Sequence, residues 1–168
     1  DAARQLVDRA VADVNAIIAA GKPQAEMYVD FERVFANYAD VPTIARSTLG
    51  VAARQASQSQ MAAYTQAYQG YVSRKYGRRF REFAGGDIEV TGVQPLKSYF
   101  EVISTAYLRG KSPADVRWHV SQQGGSPKFF NIIIQGVNML ASERTEVQAI
   151  LDQNGGSIDA LTQALRRS

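Results

Sequence analysis

One histidine and no cysteine leave this chain of 168 residues few routes to catalysis. His119 falls in DVRWHVSQQ, where Val116, Trp118 and Val120 alternate with Arg117, His119 and Ser121. That period of two describes a strand with one apolar and one polar face. A lone imidazole on the polar face, with no nucleophile at a recognisable spacing, is expected to be solvated or hydrogen-bonded rather than a general base. No GxSxG, HExxH, Walker or GxGxxG pattern occurs. Without cysteine, thiolate and disulfide chemistry are excluded, and one histidine with scattered carboxylates makes no metal site. The expectation is a protein that is not an enzyme and has neither cofactor nor metal.

The other residues that could do chemistry lie in MAAYTQAYQGYVSRKYGRRFREF (61–83). Arg74, Lys75, Arg78, Arg79 and Arg81 interleave there with Tyr76 and Phe80, and cations among aromatic platforms can bind single-stranded nucleic acid. A net charge of +3 is thin for that role. Helical periodicity also separates the two sets. Tyr64, Tyr68, Tyr71, Val72, Tyr76, Phe80 and Phe83 share one side of a helix, while most cations fall on the others. A single-stranded nucleic-acid-binding module therefore stands as the alternative reading. The rings suit a large apolar surface, either core or the wall of a cavity whose tyrosine tips reach towards a wet mouth.

The elements that must position these residues follow from the rest of the chain. GVAARQASQSQ carries no proline and continues the long helix back to about Leu49, for roughly 45 Å at about 1.5 Å per residue. Gly70 and Gly77 mark a bend in it or a close approach of something to its backbone. Residues 3–20 have the i, i+3, i+4 pattern of an amphipathic helix, ended by Gly21 and Pro23. A short helix follows from about Met27 to Tyr38, with Phe31, Val34 and Phe35 inward. Asp40 caps another that carries Ile44 and Leu49. After the turn at 84–87, four strand-like segments run through IEVT (88–91), YFEVISTAYL (99–108), DVRWHVSQQ (115–123) and KFFNIIIQGV (128–137), and short connections favour an antiparallel meander. Ser142 and Ser157 cap two closing helices separated by Asn154-Gly155-Gly156. The fold class is α+β: a twisted antiparallel sheet of about four strands packed against several helices, one of them long, enclosing an apolar cavity. Residues 1–168 form one domain, with a helical lobe over 1–83 and the sheet plus closing helices over 84–168. No apolar run approaches the roughly 18 residues of a membrane span. No signal peptide is visible before DAARQLV.

Two long motifs carry a family resemblance. IARSTLGVAARQASQSQMAAYTQAYQGYVSRKYGRRF has a short helix ending in Leu-Gly, then a helix with an Arg, a Gln and spaced aromatics. NIIIQGVNMLASERTEVQAILDQNGGSIDALTQAL has a strand ending in Gly-Val before a helix and a Gly-rich turn. Together they resemble the MlaC (toluene-tolerance, periplasmic phospholipid-binding) family over nearly the whole length. Three positions depart from its usual pattern: Ala53-Arg54 stands for Trp-Arg, Asn131 for Asp and Asn138 for Ser.

The resemblance implies a soluble periplasmic carrier, an auxiliary component of an ABC transporter system that maintains outer-membrane lipid asymmetry. It would bury phospholipid acyl chains as cargo in a hydrophobic pocket and leave the head group near solvent. Its partners would be an outer-membrane lipoprotein complex and an inner-membrane ABC transporter complex, with no nucleic acid. It would act as a monomer that does not span a membrane. Inferred faces then name the lipid-binding residues. Phe35, Ile44 and Leu49 come from the early helices, and Met61, Tyr64 and Tyr68 from the long one. Ile103, Tyr107, Trp118, Ile132 and Ile134 come from the sheet, with Val137 and Met139 closing the last strand's end.

Overall fold

Ser57 and Gln60 decide where the long helix begins. The Ser57 hydroxyl accepts from the Gln60 amide at 3.0 Å, and the Gln60 side chain accepts from the Ser57 amide at 2.9 Å. This reciprocal capping box satisfies two donors that a helix start otherwise leaves unpaired. The helix expected from Leu49 is therefore two elements, and the second is about 35 Å long at its 23 residues. Upstream, Gly50 ends the preceding helix at φ 58°, and a 3₁₀ turn over Gly50–Gln55 leads to the box.

A computed structural model describes residues 2–80, 87–108, 110–122 and 125–168. Its helices are α1 (Ala2–Ala20), α2 (Gln24–Tyr38), α3 (Val41–Leu49), α4 (Gln58–Phe80), α5 (Met139–Gln153) and α6 (Ile158–Arg166). The strands are β1 (Asp87–Pro95), β2 (Phe100–Tyr107), β3 (Ala114–Ser121), β4 (Lys128–Ile134) and β5 (Val137–Asn138). The expected Arg81, Glu82 and Phe83 of the long helix, and the turn at 84–86, lie outside the described residues.

The strands form one open antiparallel sheet in the order β1-β2-β3-β4-β5, so the fold is α+β with five strands rather than about four. The fifth arises because Gln135 and Gly136 both take positive φ, 51° and 78°, the geometry of a two-residue hairpin turn. The chain folds back there, and Val137 pairs with Ile134. Asn138 then caps α5 through the Ala141 amide at 3.0 Å, four residues before the expected cap at Ser142. Asn131 binds the same corner, taking the Leu140 amide at 3.0 Å and donating to Asn138 at 2.9 Å. Asp40 and Ser157 cap their helices as expected.

Register gives the sheet two unlike faces. Val102, Ser104 and Ala106 of β2 lie beside Trp118, Val116 and Ala114 of β3, and Trp118 and Val116 beside Ile132 and Ile134 of β4. That face joins the apolar cluster built with the helices. The other face carries Glu101, Arg117 and His119. At the start of β4, the Asp40 amide donates to the Phe129 carbonyl at 2.9 Å and ties the α2–α3 corner to the sheet.

Candidate functional site

Helix α4 presents Tyr64, Tyr68 and Val72 to the interior at steps of four, the repeat that keeps side chains on one face. Tyr64 and Tyr68 are 0% and 1% exposed, with ring centroids 5.9 Å apart. A buried phenol needs a partner, and each has one. The Tyr64 hydroxyl shares a 2.6 Å hydrogen bond with the hydroxyl of buried Thr48. The Tyr68 hydroxyl donates to Glu143 at 3.3 Å. Burial pushes both phenols well above the ordinary tyrosine range.

Glu143 is the unexpected member of this wall. Its carboxylate is 6% exposed and accepts from the Tyr76 hydroxyl and the Lys75 ammonium, each at 2.6 Å. Lys75 also pairs with Glu146. Burial works against the Lys75 ammonium, yet its hydrogen bonds to Glu143 and Glu146 outweigh this and raise its pKa. Tyr76 is pushed up as well, first by burial and then by Glu143. The cluster bolts α5 to α4. An acid directly after Ser142 suits a helix start, although its spacing to Val147, Ile150 and Leu151 (i, i+4, i+7, i+8) puts it in their apolar stripe. A charge within such a stripe is the signal that would have found it.

Opposite the tyrosines, the sheet supplies Val102, Trp118, Val120, Phe129 and Ile132. Trp118 meets Phe129 edge-on at 5.4 Å, and Phe129 meets Phe35 of α2 at 6.5 Å. The indole N–H donates to Ser104 Oγ at 3.1 Å, and that hydroxyl donates to the Val116 carbonyl at 2.6 Å, so this face buries its polar atoms in pairs. Helix α3 adds Ile44 and Leu49. Its last carbonyls, on Thr48 and Leu49, accept from Gln148 of α5 at 2.9 and 2.8 Å.

Of the thirteen residues expected at the lipid, the structure gathers eight in this one layer: Phe35, Ile44, Leu49, Met61, Tyr64, Tyr68, Trp118 and Ile132. The other five stand elsewhere. Ile103 and Tyr107 point from β2 to the opposite face, Tyr107 being 45% exposed, and Val102 takes the inward place. Ile134 and Val137 are exposed at the β4–β5 hairpin, and Met139 is half-buried at the start of α5. Two open hollows, of about 400 and 420 Å³, lie along α4 beside Lys75 and Arg74, and neither is lined by a strand residue.

His119 Nε2 is bonded to Glu101 at 3.0 Å, and its ring lies 4.8 Å from Tyr99 and 6.0 Å from Phe130. Glu101 also takes Arg117 at 3.1 Å and Gln94 at 2.7 Å. Burial alone would raise its pKa, but the bonds from His119, Gln94 and Arg117 hold it below the ordinary carboxylate range. Among the described residues, no group of three His, Asp or Glu could hold a metal ion. Nor is any described helix long and apolar enough to cross a membrane.

Comparison with known proteins places this geometry. The family described as "MlaC protein" matches residues 6–167. A solved structure of a phospholipid-binding protein from Ralstonia solanacearum, in complex with a phospholipid, is similar at a TM-score of 0.84 and 18% identity. The match covers 99% of this chain and 96% of that one.

Proposed function

The chain belongs to the MlaC family, and from that premise we propose that residues 1–168 form one lipid-binding unit, a periplasmic carrier of phospholipid. Its acyl chains would lie between the tyrosine face of α4 and the inner face of the sheet. It would pass lipid between an outer-membrane lipoprotein complex and an inner-membrane ABC transporter complex. The observation that carries this reading is the convergence of those eight residues, from three helices and two strands, on one apolar layer. The phospholipid held by the similar Ralstonia protein supports it.

Physical chemistry sets the terms of such a role. Each CH₂ kept from water is worth about 0.8 kcal/mol, so two long tails represent on the order of 25 kcal/mol. Release into water is then prohibitively slow, and exchange needs a docked partner that offers a continuous apolar path. No catalytic group is needed, because the work is desolvation matched on both sides. Organic extraction of the purified protein, followed by lipid mass spectrometry, should recover phospholipid. Protein stripped of lipid that then takes up none from vesicles would overturn the reading.

A further inference from the structure

Several cations collect where the second half of α4 meets the end of α6. Arg74 builds that junction. It donates Nε–H to the Ser168 carbonyl and a terminal N–H to the Leu165 carbonyl, both at 2.8 Å. A cation there satisfies helix-end carbonyls and the negative end of the helix dipole. Lys75 is committed to Glu143 and Glu146. Four further arginines surround the junction, all exposed: Arg78 and Arg79 in the last turn of α4, Arg166 and Arg167 at the end of α6. Arg166 shares one hollow with Arg74, and Arg78 shares the other with Ser168.

No described carboxylate forms an ion pair with any of these four. The acids that line the two hollows are already engaged, Glu32 with Gln69 and Glu146 with Lys75. Four outward cations exceed the chain's net charge of +3, so its other formal charges sum to −1. The aromatic rings of α4 do not account for them, since Arg79 alone lies over one, 5.5 Å from Tyr76.

We propose that this arginine cluster is a docking surface for an anionic phospholipid bilayer. All four cations are arginine, whose planar fork matches phosphate oxygens two at a time. An acidic protein is the competing partner, but a protein-docking patch is built round an apolar centre with a polar rim. Among the described residues, none of the exposed large apolar side chains belongs to α4 or α6. The apolar atoms beside the cluster lie within the hollow lined by Tyr71, Ala149 and Ile150 rather than on an outward face, and a charged bilayer surface asks for no apolar centre. Each cation held near such a surface strengthens association about five-fold, and the effect fades with salt.

Co-sedimentation with vesicles tests this, and it does not depend on what the interior holds, because lipid carried by the protein is measured separately by extraction. Wild-type protein should pellet with phosphatidylcholine vesicles containing phosphatidylglycerol in about 0.05 M salt. It should stay in solution with phosphatidylcholine alone, and come off in about 0.5 M salt. R78E/R79E and R166E/R167E should each weaken binding on the order of twenty-fold or more, since two cations are lost and two acids gained. The glutamine set R78Q/R79Q/R166Q/R167Q, which removes all four cations and places no acid at a helix end, should weaken it on the order of several hundred-fold with circular dichroism and carried lipid unchanged. R46E/R54E alters charge on another part of the surface by the same amount and should bind within about two-fold of wild type. Three results would overturn the proposal: undiminished pelleting of the glutamine set, an equal loss in R46E/R54E, or no pelleting of wild type at low salt. The last, combined with capture of a purified acidic protein, would assign the cluster to a protein partner instead.

Discussion

Tyr76 donates a 2.6 Å hydrogen bond to Glu143, a residue 67 positions further along the chain, and the Lys75 ammonium reaches the same carboxylate oxygen at 2.6 Å. One buried acid thus organises two neighbouring side chains of α4 and fixes α5 across them. The consequences for stability can be measured.

Glu143→Ala removes one of the two carboxylates that hold Lys75 and the acceptor of two phenol hydroxyls, and should destabilise the protein by about 3–5 kcal/mol. Glu143→Gln keeps an acceptor of the same shape but no charge, and should cost about 1–3 kcal/mol. Urea denaturation followed by circular dichroism measures both. An alanine variant within about 0.5 kcal/mol of wild type would show that the cluster does not stabilise the fold.

Alkaline pH should unfold the protein cooperatively. The folded pKa values of Tyr64, Tyr68 and Tyr76 are raised, so the native state holds these protons more tightly than the unfolded chain does. Their contribution is intact below the ordinary tyrosine pKa near 10 and is lost as pH rises above it. Each contributes a slope of up to about 1.4 kcal/mol per pH unit. Lys75 acts in the same direction, because its raised pKa gives stability that is complete below the ordinary lysine value and lost as pH climbs through the folded one. Absorbance of tyrosinate and circular dichroism should change together for these three phenols. A smooth titration of all eight tyrosines near pH 10, with no loss of structure, would contradict this.

Gly77 and Gly70 should part company. A methyl group at Gly77 would stand 2.9 Å from the Tyr28 ring and 3.0 Å from the Phe31 ring of α2, so Gly77→Ala must push two packed aromatics aside. The close approach should outweigh the gain of about 1 kcal/mol in helix propensity, for a net loss of about 1–3 kcal/mol. At Gly70 the nearest atom is the tip of Arg74 at 3.0 Å, and Gly70→Ala should fall within about 1 kcal/mol of wild type. Thermal or urea unfolding ranks the two, and equal costs would refute the distinction.

The two faces of β2 should answer differently to truncation. Val102→Ala removes packing from a fully buried site and should cost about 2 kcal/mol, whereas Ile103→Ala, half-buried on the opposite face, should cost less than about 1 kcal/mol. Lipid recovered by extraction should be unchanged in Ile103→Ser and reduced in Ile132→Ser. The reverse order would place the bound tails on the other side of the sheet.

Local chemistry explains which parts of the fold were legible in advance. Asp40 and Ser157 announce helix starts because a short polar side chain there meets a free amide, whatever lies beyond. Alternation in Val116, Trp118 and Val120 declares a face because the pleat alone enforces it. The Ser57–Gln60 box was equally local, yet it lay in a proline-free stretch that continued the helical pattern, so that stretch read as part of the long helix. In β2 both faces carry apolar side chains, so alternation cannot choose between Val102 and Ile103; only pairing with β3 and the covering helices decides. The same applies to Ile134 and Val137, whose apolar character suits an interior but which a two-residue turn leaves at an exposed hairpin.

By itself the sequence determined the α+β class, the single tyrosine face of α4, the lack of cysteine chemistry and the resemblance to the MlaC family. These depend on spacing along one element or on residue type. Tertiary structure alone decided that Glu143 is buried, that Gly77 is a contact between helices, and that the four outward arginines collect round the end of α6. Each of those joins residues dozens of positions apart, and no periodicity within one element carries that information. The burial of Glu143 depends on tyrosines and a lysine of another helix arriving to share its charge, and that partnership exists only once the chain has folded.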